Sequence, residues 1–191
     1  MSEDSLYKNL YSLFQAIDLC LENKFQLPTL ILIYSGIDIC GWLAEESENV
    51  SVQESFTKWV DKYMLPNAEL PCTSIDLYAA RCGVLHTLTP DSNLYKSGKA
   101  QRIAYASESA NVNDLRRSID LKQFPDLIAI HINSLYDAFR IGVRNFEESI
   151  DNDPVAKRTF LYKSTKTFSS IQMETLQGYL KSVQENSSGQ Q

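Results

Sequence analysis

Two residue types with complementary chemistry stand five positions apart in the stretch RCGVLH: Arg81 opens it, and His86, one of only two histidines in the chain, closes it. An imidazole, which titrates ordinarily near ~6.5, can take the proton from a ribose 2′-hydroxyl or return one to a leaving oxygen. A guanidinium can hold the scissile phosphate and stabilise the charge that gathers on a pentavalent phosphorus. Such a pair needs no metal. One imidazole serves only one of the two proton transfers, so a twofold dimer is expected to supply the second. Five helical residues turn the chain by about 140°, which keeps Arg81 and His86 off a common face. Gly83 between them, and a helix that ends near His86, would let them border one groove. A helix-end histidine and a salt-bridging arginine explain the same residues without catalysis.

Three neighbours bear on the pair. Asp38 lies in the middle of the apolar run LPTLILIYSGIDICGWL, where a carboxylate needs a partner. Arg81 is a natural partner, whether Asp38 orients it or merely bridges two helices. Tyr78 precedes Arg81 by three positions and reads either as a stacking platform for a base or as core packing. Cys82 follows Arg81 directly. Ser35 reads as a tolerated small polar contact, and Asp76 as a surface charge. His131 shares a helical face with Leu127 and Leu135, so a hydrogen-bonded core or interface histidine competes with a catalytic one. Arg140 and Arg144 fit phosphate contacts or a solvated face equally well. Trp42 and Trp59 read as core or dimer anchors.

The elements that must position these residues are helical. Leu6, Leu10, Leu13, Phe14, Ile17 and Leu21 recur on one face of a first helix. A second helix starts at Pro28, runs to about Glu46 and is apolar nearly all round, which places it at a centre. A third opens on a capping box, Ser51 with Glu54, and ends at MLP. The fourth begins near Cys72–Thr73 and ends around His86. From Thr87 to Lys122 the composition predicts a long loop with, at most, a small hairpin around RIAYA at 102–106. Helix resumes near Pro125, restarts at Asp153–Pro154, and a last helix spans Ile171 to Val183. Residues 184–191 read as a disordered tail. The expectation is a single all-α domain over 1–183, an antiparallel helical bundle with the 87–122 loop inserted after its fourth helix.

Composition bounds the function. An apolar share of 43% and a charged share of 22% belong to a soluble globular chain. No signal peptide is read at the start, and Asp38 argues against a membrane span. Cys20, Cys40, Cys72 and Cys82 show no metal-ligand spacing, which points to a reducing, cytoplasmic compartment without structural zinc. Neither a Gly-rich phosphate loop nor a nucleophile elbow nor H-E-x-x-H occurs, so no cofactor is expected. The net charge of −6 argues against a general nucleic-acid coat protein. It is uneven: residues 1–80 hold 4 Lys/Arg against 12 Asp/Glu, whereas 81–191 hold 14 against 12. Within 94–117, Lys96, Lys99, Arg102, Arg116 and Arg117 face only Glu108 and Asp114, a weak candidate rim for RNA phosphates or an ordinary solvated surface.

DLYAARCGVLH, at the end of a bundle helix and following the apolar helix with YSGIDICGWL, resembles the HEPN family (higher eukaryote and prokaryote nucleotide-binding), whose signature is R-x4-6-H at a helix end in an all-α bundle. The likeness covers residues 1 to about 150. It implies a metal-independent endoribonuclease, often a toxin or anti-phage effector, whose homodimer joins two motifs into one cleft. Arg81 and His86 would be its catalytic residues, with an acidic residue on the second helix answered by Asp38. Where the family often has Asn or Asp after the arginine, this chain has Cys82. Leu88 stands where some family toxins carry a tyrosine modified by an antitoxin, so an antitoxin partner would act otherwise. The readings left open are the nuclease, a non-catalytic HEPN-like module that binds RNA, a nucleotide or a protein, and a purely structural dimerisation bundle.

Overall fold

In the computed structural model, residues 2–166 and the single position Gln177 are described. The expected helix over Ile171–Val183 and the 184–191 tail therefore lie outside the described residues, Gln177 excepted. The protein is mainly α. In chain order come α1 (Ser2–Glu22), α2 (Gln26–Ala44), α3 (Val52–Trp59), α4 (Ser74–His86), α5 (Asn93–Lys96), β1 (Arg102–Ala106), α6 (Val112–Leu121), β2 (Leu127–His131), α7 (Ile132–Asn152) and α8 (Pro154–Ser164). After α3 the chain continues as one π turn, Val60–Met64, and a short 3-10 turn, Leu65–Asn67. Asn145 Nδ2 donates to the Tyr63 carbonyl at 2.8 Å within that widened stretch.

The nearly uniform apolarity of α2 has the expected consequence. It packs against α1, α3, α4, α7 and α8, and Ile33, Tyr34, Ile37, Cys40 and Leu43 are fully buried. Among the described residues it is the one helix long and apolar enough to cross a membrane, and half of it is buried within the fold. Its outer side still shows Leu27, Ile39 and Trp42 to solvent, Trp42 at 41%, so that tryptophan is not a core residue of the chain. Trp59 is: its ring meets Phe139, Phe146 and Tyr63 at centroid distances of 6.1, 6.5 and 6.0 Å.

The stretch expected to be loop holds most of the surprises. Residues 93–96 and 112–121 are helical, and RIAYA is a strand paired not in a hairpin but in parallel with Leu127–His131. Parallel pairing needs a crossover, which α6 supplies, making a β-α-β unit. Consequently residues 127–131 are strand, not the first turns of the helix expected from Pro125. His131 ends that strand and caps α7 rather than sharing a helical face with Leu127 and Leu135. Its Nδ1 accepts from the Asn133 N–H at 3.1 Å, so its Nε2 carries the proton and donates to the Glu108 carbonyl at 3.2 Å. The unit is tied to the helices by a 2.5 Å hydroxyl pair between Tyr34 and Tyr105.

Candidate active site at the end of the fourth helix

Both ends of α4 are fixed, and that decides where its side chains sit. At the start, Thr73 and Asp76 form a capping box: the Asp76 N–H donates to Thr73 Oγ1 at 3.3 Å, and the Thr73 N–H to Asp76 Oδ2 at 2.9 Å. Asp76 Oδ1 also accepts from the Gln101 N–H at 2.7 Å. Asp76 is 4% exposed, so the surface charge expected there is a buried cap that joins α4 to the approach to β1. At the other end the loop folds back, and the N–H groups of Thr87 and Thr89 both donate to the Gly83 carbonyl, at 3.2 and 3.3 Å. A Cβ at position 83 would stand 2.2 Å from the Thr89 carbonyl oxygen. Gly83 thus admits the returning loop rather than loosening the helix, and Leu88 takes up the reversal at a φ of +53°.

With the end so held, Arg81 and His86 meet despite their angular offset. Arg81 Nη1 lies 2.9 Å from His86 Nε2. The same guanidinium donates through Nε and Nη2 to Asp38 Oδ2 on α2, at 2.8 and 2.6 Å. The Arg81 and Asp38 side chains are 13% and 19% exposed, while His86 is open to solvent. A guanidinium can only donate, so His86 Nε2 accepts and the imidazole is neutral with its proton on Nδ1. Asp38 and His86 engage three of the five guanidinium N–H groups, and Cys82 also hydrogen-bonds the group.

Burial pushes the Asp38 carboxyl above its ordinary value, outweighing the downward pull of Arg81. The geometry supplies the reason: Oδ1 is buried without a hydrogen-bond partner, so the carboxylate is satisfied on one oxygen only. Burial alone would lower Arg81, yet its bonds to Asp38 leave it above its usual value. Arg81 is therefore charged throughout the working range, and Asp38 is the member of the pair that titrates.

Tyr78 combines the two roles weighed for it. Its edge packs on Phe56 with centroids 5.4 Å apart, and the Arg81 guanidinium carbon lies 5.8 Å from its ring centre. Burial, then Cys82, push its phenol above the ordinary value. Cys82 hydrogen-bonds both Tyr78 and Arg81. Ser35 is half-buried on α2.

The basic candidates disperse. Lys96 and Lys99 line one cavity near the start of α4. Arg102 stacks on Tyr95 at 4.3 Å and pairs with Asp91 at 3.4 Å. Arg116 and Arg117 sit exposed on α6, outside that cavity. Arg140 lies over the Tyr136 ring at 5.7 Å, and Arg144 is exposed. Two features beside the site were missed in the sequence. An apolar groove of about 160 Å³ runs along α4, lined by Leu27, Val84, Leu88 and Ile103 among others. Thr87 and Thr89 share a 2.8 Å hydroxyl contact just past His86. The groove has no sequence signal, because it depends on the reversal at Leu88 and on β1 lying beside α4. Among the described residues no three His, Cys, Asp or Glu side chains converge. Comparison with protein-family models, curated proteins and solved structures returned no match.

Proposed function

We propose that the protein is a metal-independent endoribonuclease of HEPN type, a cytoplasmic homodimer of antiparallel helical bundles that joins two copies of the Arg81–His86 corner across one cleft. The observation that carries this reading is the 2.9 Å contact between Arg81 Nη1 and an unprotonated His86 Nε2. That nitrogen is the lone pair a general base needs, and it is parked on the group that would bind the phosphate. An arriving phosphodiester competes for the guanidinium at Nη1 and so releases Nε2 to the ribose. His86 takes the 2′-hydroxyl proton as the 2′-oxygen attacks phosphorus. The 5′-oxygen leaves with a proton from the protonated His86 of the second copy, and the product ends in a 2′,3′-cyclic phosphate. Asp38 acts as a positioning residue through Arg81, and Tyr78 and Cys82 fill the wall beside it. The outward Ile39 and Trp42 of α2 support a face that a second copy can cover. A toxin or defence role, with an antitoxin or other protein partner, rests on the family resemblance alone.

Cys82 and the three internally spent donors of Arg81 favour a second reading, a non-catalytic RNA-, nucleotide- or protein-binding module. Cleavage of a mixed RNA in EDTA separates the two. The nuclease reading expects 2′,3′-cyclic ends from the wild type and none from His86→Ala or Arg81→Ala. Equal cleavage by all three proteins overturns it, and no cleavage by any leaves the binding module.

A further inference from the structure

The outward side of α2 repeats about its own middle. From Pro28 to Trp42, the residues that are not buried are Pro28, Ile31, Leu32, Ser35, Asp38, Ile39 and Trp42. Counted from Ser35, they stand at −7, −4, −3, 0, +3, +4 and +7, a spacing that reads the same in both directions. At about 100° per residue, the ±7 positions lie within about 20° of Ser35 and the ±4 positions within about 40°. Asp38 and Ile31 fall on one flank of this stripe, Leu32 and Ile39 on the other. Ile39 and Trp42 are 40% and 41% exposed, large apolar groups for an outer surface. The Trp42 ring is nonetheless held in place, with the Lys163 ammonium 5.1 Å from its centre.

A stripe with this symmetry fits a copy of itself. When two such helices pack antiparallel about a twofold axis at Ser35, each position at +n meets the other helix at −n. Trp42 then comes over Pro28 of the second copy, about 10 Å along the helix from the axis, and Ile39 beside its Ile31, about 6 Å from it. The small Ser35 at the crossing lets the two helices approach closely. This axis reverses the helices but keeps each flank on its own side. Leu32 and Ile39 of both copies therefore gather on one flank, and Asp38 of both on the other. Arg81 is bound to Asp38 at 2.8 and 2.6 Å and to His86 at 2.9 Å, so both Arg81–His86 corners open along the same flank. A parallel pairing would send them to opposite flanks. We infer that the protein dimerises through α2, packed antiparallel on α2 of a second copy with the twofold axis at Ser35. The inference rests on the proposed function only for the existence of a homodimer, and it assigns the face that brings both corners to one cleft.

The test joins sedimentation of the full chain to mild oxidation of cysteine variants, with the linked positions mapped by mass spectrometry. The wild type is expected to sediment as a dimer. Ser35→Cys should link position 35 to position 35 of the second copy, and a mixture of Ile31→Cys and Ile39→Cys chains should link position 31 to position 39. Ile39→Glu, at an exposed position, is expected to weaken the dimer at least ~10-fold with circular dichroism unchanged. A monomeric wild type overturns the inference and leaves the stripe to residues 167–191 or to another protein. So does a dimer indifferent to Ile39→Glu, or one that links through a native cysteine and not through position 35. A dimer linked at position 35 that leaves RNA uncut upholds the inference and removes the nuclease reading. RNA cut by a dimer that fails both the linking and the Ile39→Glu tests upholds the nuclease and removes the inference.

Discussion

Arg81 and Lys163 both press a positive charge against α2, and the difference between them shows how one fold uses a buried cation for two purposes. Lys163 is 4% exposed. Its ammonium donates to the carbonyl of Trp42 at 2.5 Å and to that of Glu45, and lies 5.1 Å from the Trp42 ring centre. Those carbonyls belong to the end of α2, where backbone acceptors lack partners within the helix, so Lys163 is a C-terminal cap supplied from α8. Burial holds its pKa below the ordinary value. Arg81 instead spends two donors on a side-chain carboxylate and aims a third at an exposed imidazole. A charge aimed at backbone closes the fold. A charge aimed at titratable side chains near the surface leaves something for a ligand to displace.

The sharpest way to break the comparison is to remove the carboxylate. Asp38→Ala leaves the Arg81 charge buried and unanswered, an expected loss of about 3 kcal/mol or more in urea unfolding. The double substitution Asp38→Leu/Arg81→Met removes both charges and is expected to recover most of that loss. If the double variant is as unstable as the single, the pair holds the fold rather than the site, and the contrast with Lys163 disappears.

Next in size is Lys163→Met, which keeps the alkyl stem but loses two bonds from a charged donor, an expected cost of about 2 kcal/mol. RNA cleavage by the folded fraction should stay unchanged. His86→Ala is its mirror image: an exposed side chain whose loss should move stability by no more than about 0.5 kcal/mol while cleavage falls at least ~100-fold. Measuring unfolding and cleavage on both variants gives a two-way dissociation that a shared structural role cannot produce.

How far this was legible depended on whether one helical period sufficed. The apolar repeat of α1, the all-round apolarity of α2 and the Ser51 cap of α3 are local patterns, and the helices follow them, although the expected Ser51–Glu54 box forms only by half, since Ser51 Oγ accepts from the Glu54 N–H while the Glu54 carboxylate pairs with Lys58. The link from Asp38 to Arg81 was legible because a carboxylate in an apolar helix must find a cation, and few were available. The region from 87 to 131 was misread because LIAIH fits a helix or a strand equally well at that length. What decides it is pairing with RIAYA across a crossover, an interaction between distant segments. Asp76 was misread differently. Thr73-x-x-Asp76 is a local capping pattern, but its burial comes from Gln101 arriving from beyond the loop.

The smallest expected effect concerns acid. Asp38 is held above its ordinary carboxylate value, chiefly by burial. A folded-state pKa above the unfolded one means that the native state binds the extra proton, so this contribution to stability is present in acid and is lost as pH rises through the folded value. Ionised Asp38 is thus a mild cost that the protein carries at neutral pH, consistent with its unpartnered Oδ1. In Asp38→Asn the fall in stability as pH rises above the ordinary carboxylate range should flatten on this account. Cleavage should behave in the opposite sense. As pH falls through the raised Asp38 value, protonated Asp38 loosens its hold on Arg81, and wild-type activity should drop more steeply than that of Asp38→Asn. Asp38→Asn should show a lower rate and a shallower loss of activity in acid. If stability and cleavage share one acid limb in the wild type, Asp38 acts on both through the fold. Arg81 would then belong with Lys163, as a second clamp on α2.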